Sequence, residues 1–310
     1  MNFKHIEFLE NKVILKDIKD FNIKQICESG QCFRWKKEAD NRYIGVAYER
    51  VLEVEQIDND VILHNTNEED FKNIWLRYFD LETDYSKIKE ELSKDEILRK
   101  SVEYGYGIRI LNQEPFELVV SFIISARNSI PVISKTINNI CERWGNKIIY
   151  KGKEYYTFPR KEVLAKATLD EIKEIGGSFR SKYIVDTVNK INKAELIRQG
   201  KLEVEEKEEF IKMYDLERIM NLSDDECHKA LQNYMGIGSK VADCIMLFSM
   251  EKHSAFPVDI WVRRAMMYFY NAEEASLPKI RKFARDKFKE LSGAAQQYLF
   301  YYARENSIKL

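Results

Sequence analysis

The spacing of apolar side chains changes character after residue 66. Up to that point short β-branched runs partly alternate with polar residues, the pattern of half-buried strands. The clearest predicted strands are Tyr43–Tyr48, Val51–Glu55 and Val61–His64. Beyond it the apolar positions recur at helical spacing, beginning with Phe71, Ile74, Trp75 and Tyr78. The pattern predicts strands in the first 66 residues and mainly helices in the remainder.

The helical pattern continues to the carboxyl terminus. Residues 88–104 and 116–144 carry long apolar stripes, and 148–158 predicts a small strand or loop insertion. Further helices are predicted at 161–175, 181–197, 207–219, 223–234, 239–251, 260–270, 278–290 and 293–305. We find no repeat and no low-complexity linker. We therefore expect an α+β protein in which an antiparallel β-rich domain, 1–113 with helices from about 68, packs on an all-helical body, 114–310.

Composition narrows the class of protein. The 310 residues are 45% hydrophobic, enough for a sizeable core in two or three packed subdomains. The net charge of −1 argues against a bulk polyanion binder, although the basic run 279–289 could form a local face or a merely solvated one. Five scattered cysteines without CxxC spacing argue against a disulfide framework, a zinc site and an iron–sulfur cluster. We expect no signal peptide and no membrane span.

Two glycines, Gly236 and Gly238, bracket one apolar residue between two predicted helices. Glycine permits positive φ and the close approach of a phosphate, and the free N–H groups that open a helix bind anions. An ordinary helix–helix turn would need the same glycines. The helix that follows has a predicted buried stripe of Val241, Cys244, Ile245 and Phe248.

Lys240 lies one turn before Cys244 and so flanks that buried stripe. Partial burial and the positive end of the helix dipole both lower the pKa of a lysine. Nucleophilic catalysis requires the neutral amine that results. The alternative is an ordinary solvated lysine near a helix start.

Asp259 precedes a predicted helix that begins at Ile260. As N-cap its carboxylate would accept backbone N–H bonds and stay ionised. An ionised carboxylate can stabilise positive charge that grows on a sugar ring. The alternative is a purely structural cap. Together, an amine and a carboxylate beside a phosphate-binding turn indicate chemistry on a nucleic-acid sugar.

The combination of hairpin, lysine and aspartate resembles the helix-hairpin-helix DNA glycosylase superfamily, and within it the 8-oxoguanine DNA glycosylases. The resemblance extends from about Cys27 to Arg304 and includes several motifs in the right order. Besides the hairpin these are 29–35 (Ser-Gly-Gln-Cys-Phe-Arg-Trp), 107–117, 121–125 and 177–183. It implies the helix-hairpin-helix glycosylase fold for the helical body.

The resemblance also implies a role for each matching residue. Lys240 and Asp259 match the catalytic lysine and aspartate. Gly30 matches the glycine whose carbonyl accepts N7–H of the oxidised base, and Gln296 the glutamine that contacts its Watson–Crick edge. Cys244 and Phe300 match the two residues that stack on the two faces of the flipped base. The expected DNA contacts are Gly236, Gly238, Arg127, Asn128, Phe179 and Arg180.

Several positions depart from the family pattern and place the chain in a divergent branch. Phe179 stands for a tyrosine, Trp261 for a histidine and Ala303 for an aspartate. The hairpin has Tyr234-Met235 where Leu-Pro is usual. Arg127-Asn128-Ser129 stands where the family often has asparagines that face the orphaned base, and Val132 where an arginine often helps.

The resemblance implies a bifunctional glycosylase and lyase that acts on double-stranded DNA containing 8-oxoguanine. It needs no redox cofactor and no catalytic metal, although a structural monovalent cation could occupy the hairpin. We expect a monomer that does not bind membranes and, in a prokaryote, a cytoplasmic location at the nucleoid. Two alternatives remain: a glycosylase for another base, and a non-enzymatic DNA-binding module. Endonuclease III-type enzymes commonly carry a cysteine cluster absent here, and alkylpurine glycosylases generally lack the lysine.

Overall fold

The amino-terminal part of the chain forms a six-stranded sheet. In this computed structural model, which describes residues 2–270 and 276–307, its strand order is β1-β2-β6-β5-β4-β3. The strands are β1 His5–Leu9, β2 Lys12–Lys16, β3 Lys36–Ala39, β4 Arg42–Ala47, β5 Arg50–Ile57 and β6 Asp60–His64. Val13 of β2 and Val54 of β5 both pair with Leu63 of β6, and all three side chains are fully buried. Apolar positions that alternate along neighbouring strands thus meet on one face, which faces the core.

Helices make up most of the remaining chain. Up to residue 112 they are α1 Ile23–Glu28, α2 Glu68–Asp70, α3 Leu76–Tyr78, α4 Tyr85–Leu92 and α5 Glu96–Tyr104, with a π-helical stretch at Phe71–Trp75. Next come α6 Pro115–Ser125, α7 Ile130–Trp144, a hairpin of β7 Lys147–Tyr150 and β8 Lys153–Tyr156, α8 Lys161–Leu164 and α9 Leu169–Ile172. Beyond these lie α10 Ser181–Arg198, α11 Lys207–Tyr214, α12 Leu216–Met220, α13 Asp224–Leu231 and α14 Ser239–Ser249. The last three are α15 Ile260–Tyr270, α16 Leu277–Phe288 and α17 Ser292–Glu305.

The expected α+β class and the sheet-to-helix order are confirmed, whereas several local predictions are wrong. α1 lies inside the segment predicted as strands, because Asn22 caps it by accepting a hydrogen bond from the Gln25 N–H (3.0 Å). The predicted helix 161–175 is interrupted, since Thr168 and Glu171 form a capping box that starts α9 anew. Asp215 likewise caps α12 and divides the predicted helix 207–219.

The chain divides into two compact units. Unit 1 contains Met1–Gly45, Val51–Asn112 and Glu251–Leu310, and unit 2 contains Val46–Arg50 and Gln113–Met250. The first unit therefore joins most of the amino-terminal sheet to the last three helices. The second holds the helices from α6 to α14.

Each unit has one almost fully buried helix that carries candidate residues. In unit 2, α14 packs on α6, where the rings of Phe122 and Phe248 stack with centroids 5.8 Å apart. In unit 1, α17 packs on α5 and α15, and its side chains from Ser292 to Leu299 are all buried. Burial on several sides fixes the rotation of a helix, so these two helices hold their polar residues in defined directions.

Candidate functional site

The hairpin between α13 and α14 contains one glycine that the fold requires and one that it does not. Gly236 has a φ of +88°, and a Cβ there would lie 2.9 Å from the ring of Tyr183. Both the backbone angle and the close contact favour glycine. Gly238 is the N-cap of α14 with an extended φ of −97°, and a Cβ there would have no protein atom of the described chain within 4 Å. The backbone angle and the surroundings of Gly238 would therefore both accept a larger residue.

Lys240 is the second residue of α14 and is half-buried. The predicted stripe behind it is present, because Val241, Cys244, Ile245 and Phe248 are all buried. The Lys240 Nζ lies 5.4 Å from the centroid of the Phe122 ring, which comes from α6. An ammonium group at this distance is attracted to the face of the ring, so the Phe122 ring is a packing partner of the Lys240 side chain.

Asp259 belongs to unit 1 and caps α15. Its Oδ1 accepts a hydrogen bond from the Val262 N–H at 2.8 Å, while its carbonyl accepts the Arg263 N–H at 2.9 Å. The side chain is half-exposed. The carboxylate thus has a fixed direction set by the helix start and still reaches solvent on one side.

Gly30 occupies a tight turn that a buried glutamine holds in place. The φ of Gly30 is +78°, a value that favours glycine. The fully buried Gln31 donates from Nε2 to the Arg109 carbonyl and accepts the Leu111 N–H at Oε1, both at 2.8 Å. These bonds fix the turn against residues 109–111 of unit 1, so the Gly30 carbonyl has a defined direction.

The same turn lies against α17. A Cβ at Gly30 would sit 3.0 Å from the Phe300 ring and 3.5 Å from Nη1 of Arg304. Arg304 stacks its guanidinium over Phe300 at 5.2 Å and donates from Nη2 to the carbonyl of Glu28. Gly30 and Phe300, two residues expected to contact one base, are therefore neighbours in unit 1.

Gln296 carries an unmet hydrogen-bonding capacity. It lies one turn before Phe300 on α17 and is only 4% exposed, and its Oε1 is buried without a hydrogen-bond partner among the described residues. A buried acceptor left unpaired costs about 1–3 kcal/mol, so such an atom indicates a ligand or water that completes it. An amide one turn before Phe300 offers both donors and an acceptor, which suits hydrogen bonding to the edge of a base.

The expected DNA contacts of unit 2 differ in what they can reach. Phe179 is 52% exposed, whereas Arg180 is buried and stacks on that ring at 4.3 Å. The Arg180 Nε donates to the Ala126 carbonyl at 2.8 Å, and its Nη2 to the carbonyl of Arg127 at 3.1 Å. Burial lowers the pKa of Arg180. This arginine therefore braces the 126–127 loop, which presents the exposed side chain of Arg127.

Two supporting residues could not be singled out from the sequence. Phe122 lies in a mostly apolar stretch, in which no sequence feature distinguishes the residue that contacts Lys240 from other core residues. Arg304 is spaced four residues from Phe300, and that spacing is the one signal that could have indicated their stacking.

Comparisons with known proteins identify the family of the chain. Residues 13–119 match the N-terminal domain of 8-oxoguanine DNA glycosylase, and residues 120–299 match the HhH-GPD superfamily of base excision DNA repair proteins. An 8-oxoguanine glycosylase/lyase from Clostridium acetobutylicum, solved with double-stranded DNA containing cytosine opposite 8-oxoguanine, is 52% identical, with a TM-score of 0.90 over 99% of this chain and 100% of that one.

Two curated relatives are more distant. A probable N-glycosylase/DNA lyase of Methanothermobacter thermautotrophicus is 29% identical over 74% of this chain and 72% of its own length. An N-glycosylase/DNA lyase of Saccharomyces cerevisiae is 29% identical over 83% of this chain and 70% of its own. No helix among the described residues is long and apolar enough to cross a bilayer. The chain belongs to the HhH-GPD superfamily of base excision DNA repair proteins, in the group that carries the 8-oxoguanine DNA glycosylase N-terminal domain.

Proposed function

We propose that this protein is a bifunctional DNA glycosylase and lyase that removes 8-oxoguanine from duplex DNA and then cleaves the strand at the abasic site. The observation that carries this function is the half-buried amine of Lys240, set on an aromatic ring at the start of the helix that follows the glycine hairpin. Its relative from Clostridium acetobutylicum, similar over nearly the whole chain, is described as an 8-oxoguanine glycosylase/lyase.

Recognition of the base begins with its removal from the duplex. The enzyme flips the damaged nucleotide out, which costs a few kcal/mol for the lost stacking and pairing. The Gly30 carbonyl then accepts N7–H, a donor that guanine lacks. Gln296 supplies amide donors and an acceptor to the Watson–Crick edge, and its buried Oε1, which has no hydrogen-bond partner among the described residues, gains one. Phe300 and Cys244 stack on the two faces of the base.

The chemistry follows from the amine and the carboxylate. The neutral Lys240 Nζ attacks C1′ of the sugar, the C1′–N9 bond breaks, and the base leaves with the bonding electrons and takes up a proton. Asp259 stabilises the positive charge that develops on the sugar. The lysine–sugar adduct opens to a Schiff base, which acidifies the C2′ proton. Loss of that proton expels the 3′ phosphate and completes β-elimination.

The hairpin supplies the DNA anchor. We assign a backbone phosphate to the N–H groups that open α14, because helix starts bind anions and the Cβ position of the N-cap Gly238 has no described protein atom within 4 Å. A structural monovalent cation at the hairpin would be held by backbone carbonyl oxygens, which keep a second lone pair when they accept one hydrogen bond, as those of Tyr234 and Met235 do. Such a cation would add positive charge beside the phosphate.

Exchange of the amine tests the proposal directly. In Lys240→Gln the nucleophile is lost, while the hairpin amides that hold phosphate remain. We expect no base release, no strand cleavage and no covalent complex on borohydride reduction with an 8-oxoguanine duplex, and an affinity for that duplex within about threefold of wild type. A trapped complex at wild-type yield would identify a different amine as the nucleophile.

A parallel assay separates this activity from a glycosylase for another base. Duplexes that carry 3-methyladenine or thymine glycol in place of 8-oxoguanine test for the alkylpurine and the endonuclease III types of glycosylase, respectively. We expect release and trapping with 8-oxoguanine alone, because the other bases do not present N7–H to the Gly30 carbonyl.

A further inference from the structure

A histidine that has no role in the chemistry above bridges the two helices of the hairpin. His228 lies in the last turn of α13, and its Nε2 is 3.2 Å from both the carbonyl oxygen and the hydroxyl of Ser239. The same nitrogen is 3.7 Å from Oδ1 of Asp243. Ser239 directly precedes Lys240, and Asp243 lies one turn after it on α14. All of these residues belong to unit 2.

The surroundings of the ring define its protonation. The Nε2 of Gln232 is 3.0 Å from the His228 carbonyl and 3.2 Å from Nδ1 of the ring. A carbonyl oxygen can only accept, so the glutamine atom facing it is the NH₂ group, and Nδ1 must then accept as well. The other nitrogen faces a carbonyl oxygen and a carboxylate, which only accept. The neutral tautomer with the proton on Nε2 accepts from Gln232 at Nδ1 and donates its one N–H to the Ser239 carbonyl oxygen.

We propose that His228 is a positioning residue for the reaction: by donating its Nε2–H across the hairpin to the first turn of α14, it holds Lys240 at the distance and angle from which the amine attacks. The inference rests on the proposed role of Lys240 as the nucleophile. The ring is only 14% exposed and the Asp243 side chain 1%, whereas Ser239 and Gln232, which the ring contacts, are exposed.

The bond from His228 to the Ser239 carbonyl should affect the reaction rate more than DNA binding. The phosphate contact uses N–H groups at the start of α14, whereas attack at C1′ requires the amine within a narrow distance and angle. Misplacement of a reacting group by about 1 Å can lower a rate about a hundredfold. A ring that ties the carbonyl of Ser239 to α13 limits the rotation of the turn that carries the amine.

Two substitutions isolate the donor. His228→Phe keeps the ring and removes both nitrogens, whereas His228→Gln places an amide N–H near the position of Nε2. The measurement is the single-turnover rate of 8-oxoguanine release at saturating duplex, together with the dissociation constant for the same duplex. We expect about a tenfold slower release for His228→Phe with an affinity within about twofold, and a rate within about threefold of wild type for His228→Gln.

His64→Phe is the matched control, because His64 also pairs its Nε2 with a carboxylate, that of Glu55 at 2.9 Å, but lies in β6 of unit 1. It should release base at the wild-type rate. If His228→Phe does not fold, His228→Asn replaces it, since its shorter amide stops near Nδ1 and should be equally slow. Three outcomes would each overturn the inference. They are a wild-type release rate in His228→Phe, equally slow release in His228→Phe and His228→Gln, and slower release that weaker DNA affinity accounts for.

The wild-type protein distinguishes this failure from that of the proposed function. If wild type forms a borohydride-trapped complex and Lys240→Gln does not, the function stands whatever the histidine variants show. If wild type forms none, the positioning role fails together with the function on which it rests.

Discussion

Oxidation of guanine changes one ring atom from an acceptor into a donor, and a single fixed carbonyl is enough to detect that change. An acceptor that faced N7 of normal guanine would leave both atoms unsatisfied, at a cost of about 1–3 kcal/mol. The turn at Gly30 is suited to this task. Its positive φ and the two 2.8 Å bonds of Gln31 hold the carbonyl rigidly, and no flexible side chain intervenes.

Gly30→Ala should therefore reduce activity on 8-oxoguanine by an order of magnitude or more. The new methyl group would meet the Phe300 ring at 3.0 Å, and the φ of +78° would be strained, so both the carbonyl and the stacking ring must shift. The measurement is the rate of base release, with thermal unfolding as the control for folding. A folded variant with normal rate and normal preference for the oxidised base would show that another group recognises N7–H.

Asp259→Asn should slow base release with little effect on folding. Asparagine is as good an N-cap as aspartate, so the bond to the Val262 N–H can be kept. The amide lacks the negative charge that stabilises a cationic sugar, a difference we expect to be worth about a hundredfold in single-turnover rate. DNA affinity should change by less than about threefold. An unchanged rate would reduce Asp259 to a structural cap.

At the scale of residues, the sequence predicted those whose local setting is distinctive. Lys240 after the glycine hairpin and Asp259 before α15 are found at the helix starts where the pattern indicated them. Phe122 and His228 were missed as partners because their contacts come from a distant helix or across a hairpin whose geometry the sequence does not give. The bond of Arg304 to the Glu28 carbonyl likewise joins residues distant in the sequence. Their functions depend on tertiary packing, which no local pattern encodes.

At the scale of elements, the hairpin separates a folding requirement from a binding requirement. Gly236→Ala should lower stability by about 1–2 kcal/mol, because alanine must adopt a left-handed φ, and more if Tyr183 cannot move from its 2.9 Å contact. Gly238→Ala should change stability by less than about 1 kcal/mol: its φ is ordinary and its Cβ meets no described protein atom, and the loss of a glycine N-cap is offset by the lower entropy of the unfolded chain. Chemical denaturation measures both.

The same pair predicts opposite behaviour toward DNA. The methyl group of Gly238→Ala points into the space where we place the phosphate, so affinity for duplex should fall although the protein is nearly as stable as wild type. A Gly238→Ala variant that binds DNA normally would mean that the phosphate does not approach this residue. Comparison at one fixed salt concentration is essential, because phosphate contacts are salt-dependent.

Helix starts and interruptions show which element boundaries a sequence can yield. The predicted start of α15 at residue 260 is confirmed, because a capping aspartate directly precedes its apolar pattern. The breaks at Thr168 and Asp215 were missed, although both residues are good caps, because the apolar spacing continues through them. A capping residue interrupts a helix only if its hydrogen bonds form, even where the apolar spacing continues. The sequence alone does not show whether those hydrogen bonds form.

At the scale of the whole molecule, class and order were predictable while the pairing of distant segments was not. The change from strands to helices follows from spacing alone. The sheet, however, places β2 beside β6, and unit 1 includes the last three helices. Such groupings depend on contacts between residues about 50 to 250 positions apart, for which the sequence offers no local signal.

The complete protein on its duplex should choose weakly among bases opposite the lesion. Arg127 stands where the family often has an asparagine, so a flexible cation that can only donate takes the place of an amide that can donate and accept. Its φ is +53° and its side chain is exposed. Val132, at the position where the resemblance places an arginine, is 47% exposed. Asn128 is not a ready substitute, since its Nδ2 donates to the Ile124 carbonyl at 3.2 Å and its Oδ1 accepts the Ser129 N–H at 3.0 Å.

Phosphate contacts would then remain while recognition of the orphaned base edge is relaxed. The measurement is cleavage of 8-oxoguanine paired in turn with C, T, G and A at one salt concentration. We expect the four rates to span less than about tenfold, which corresponds to about 1.4 kcal/mol. Asn128→Ala, which removes the amide, should leave that span unchanged. Preference for cytosine by about a hundredfold or more, lost in Asn128→Ala, would instead show that Asn128 leaves its loop contacts and reads the opposite base.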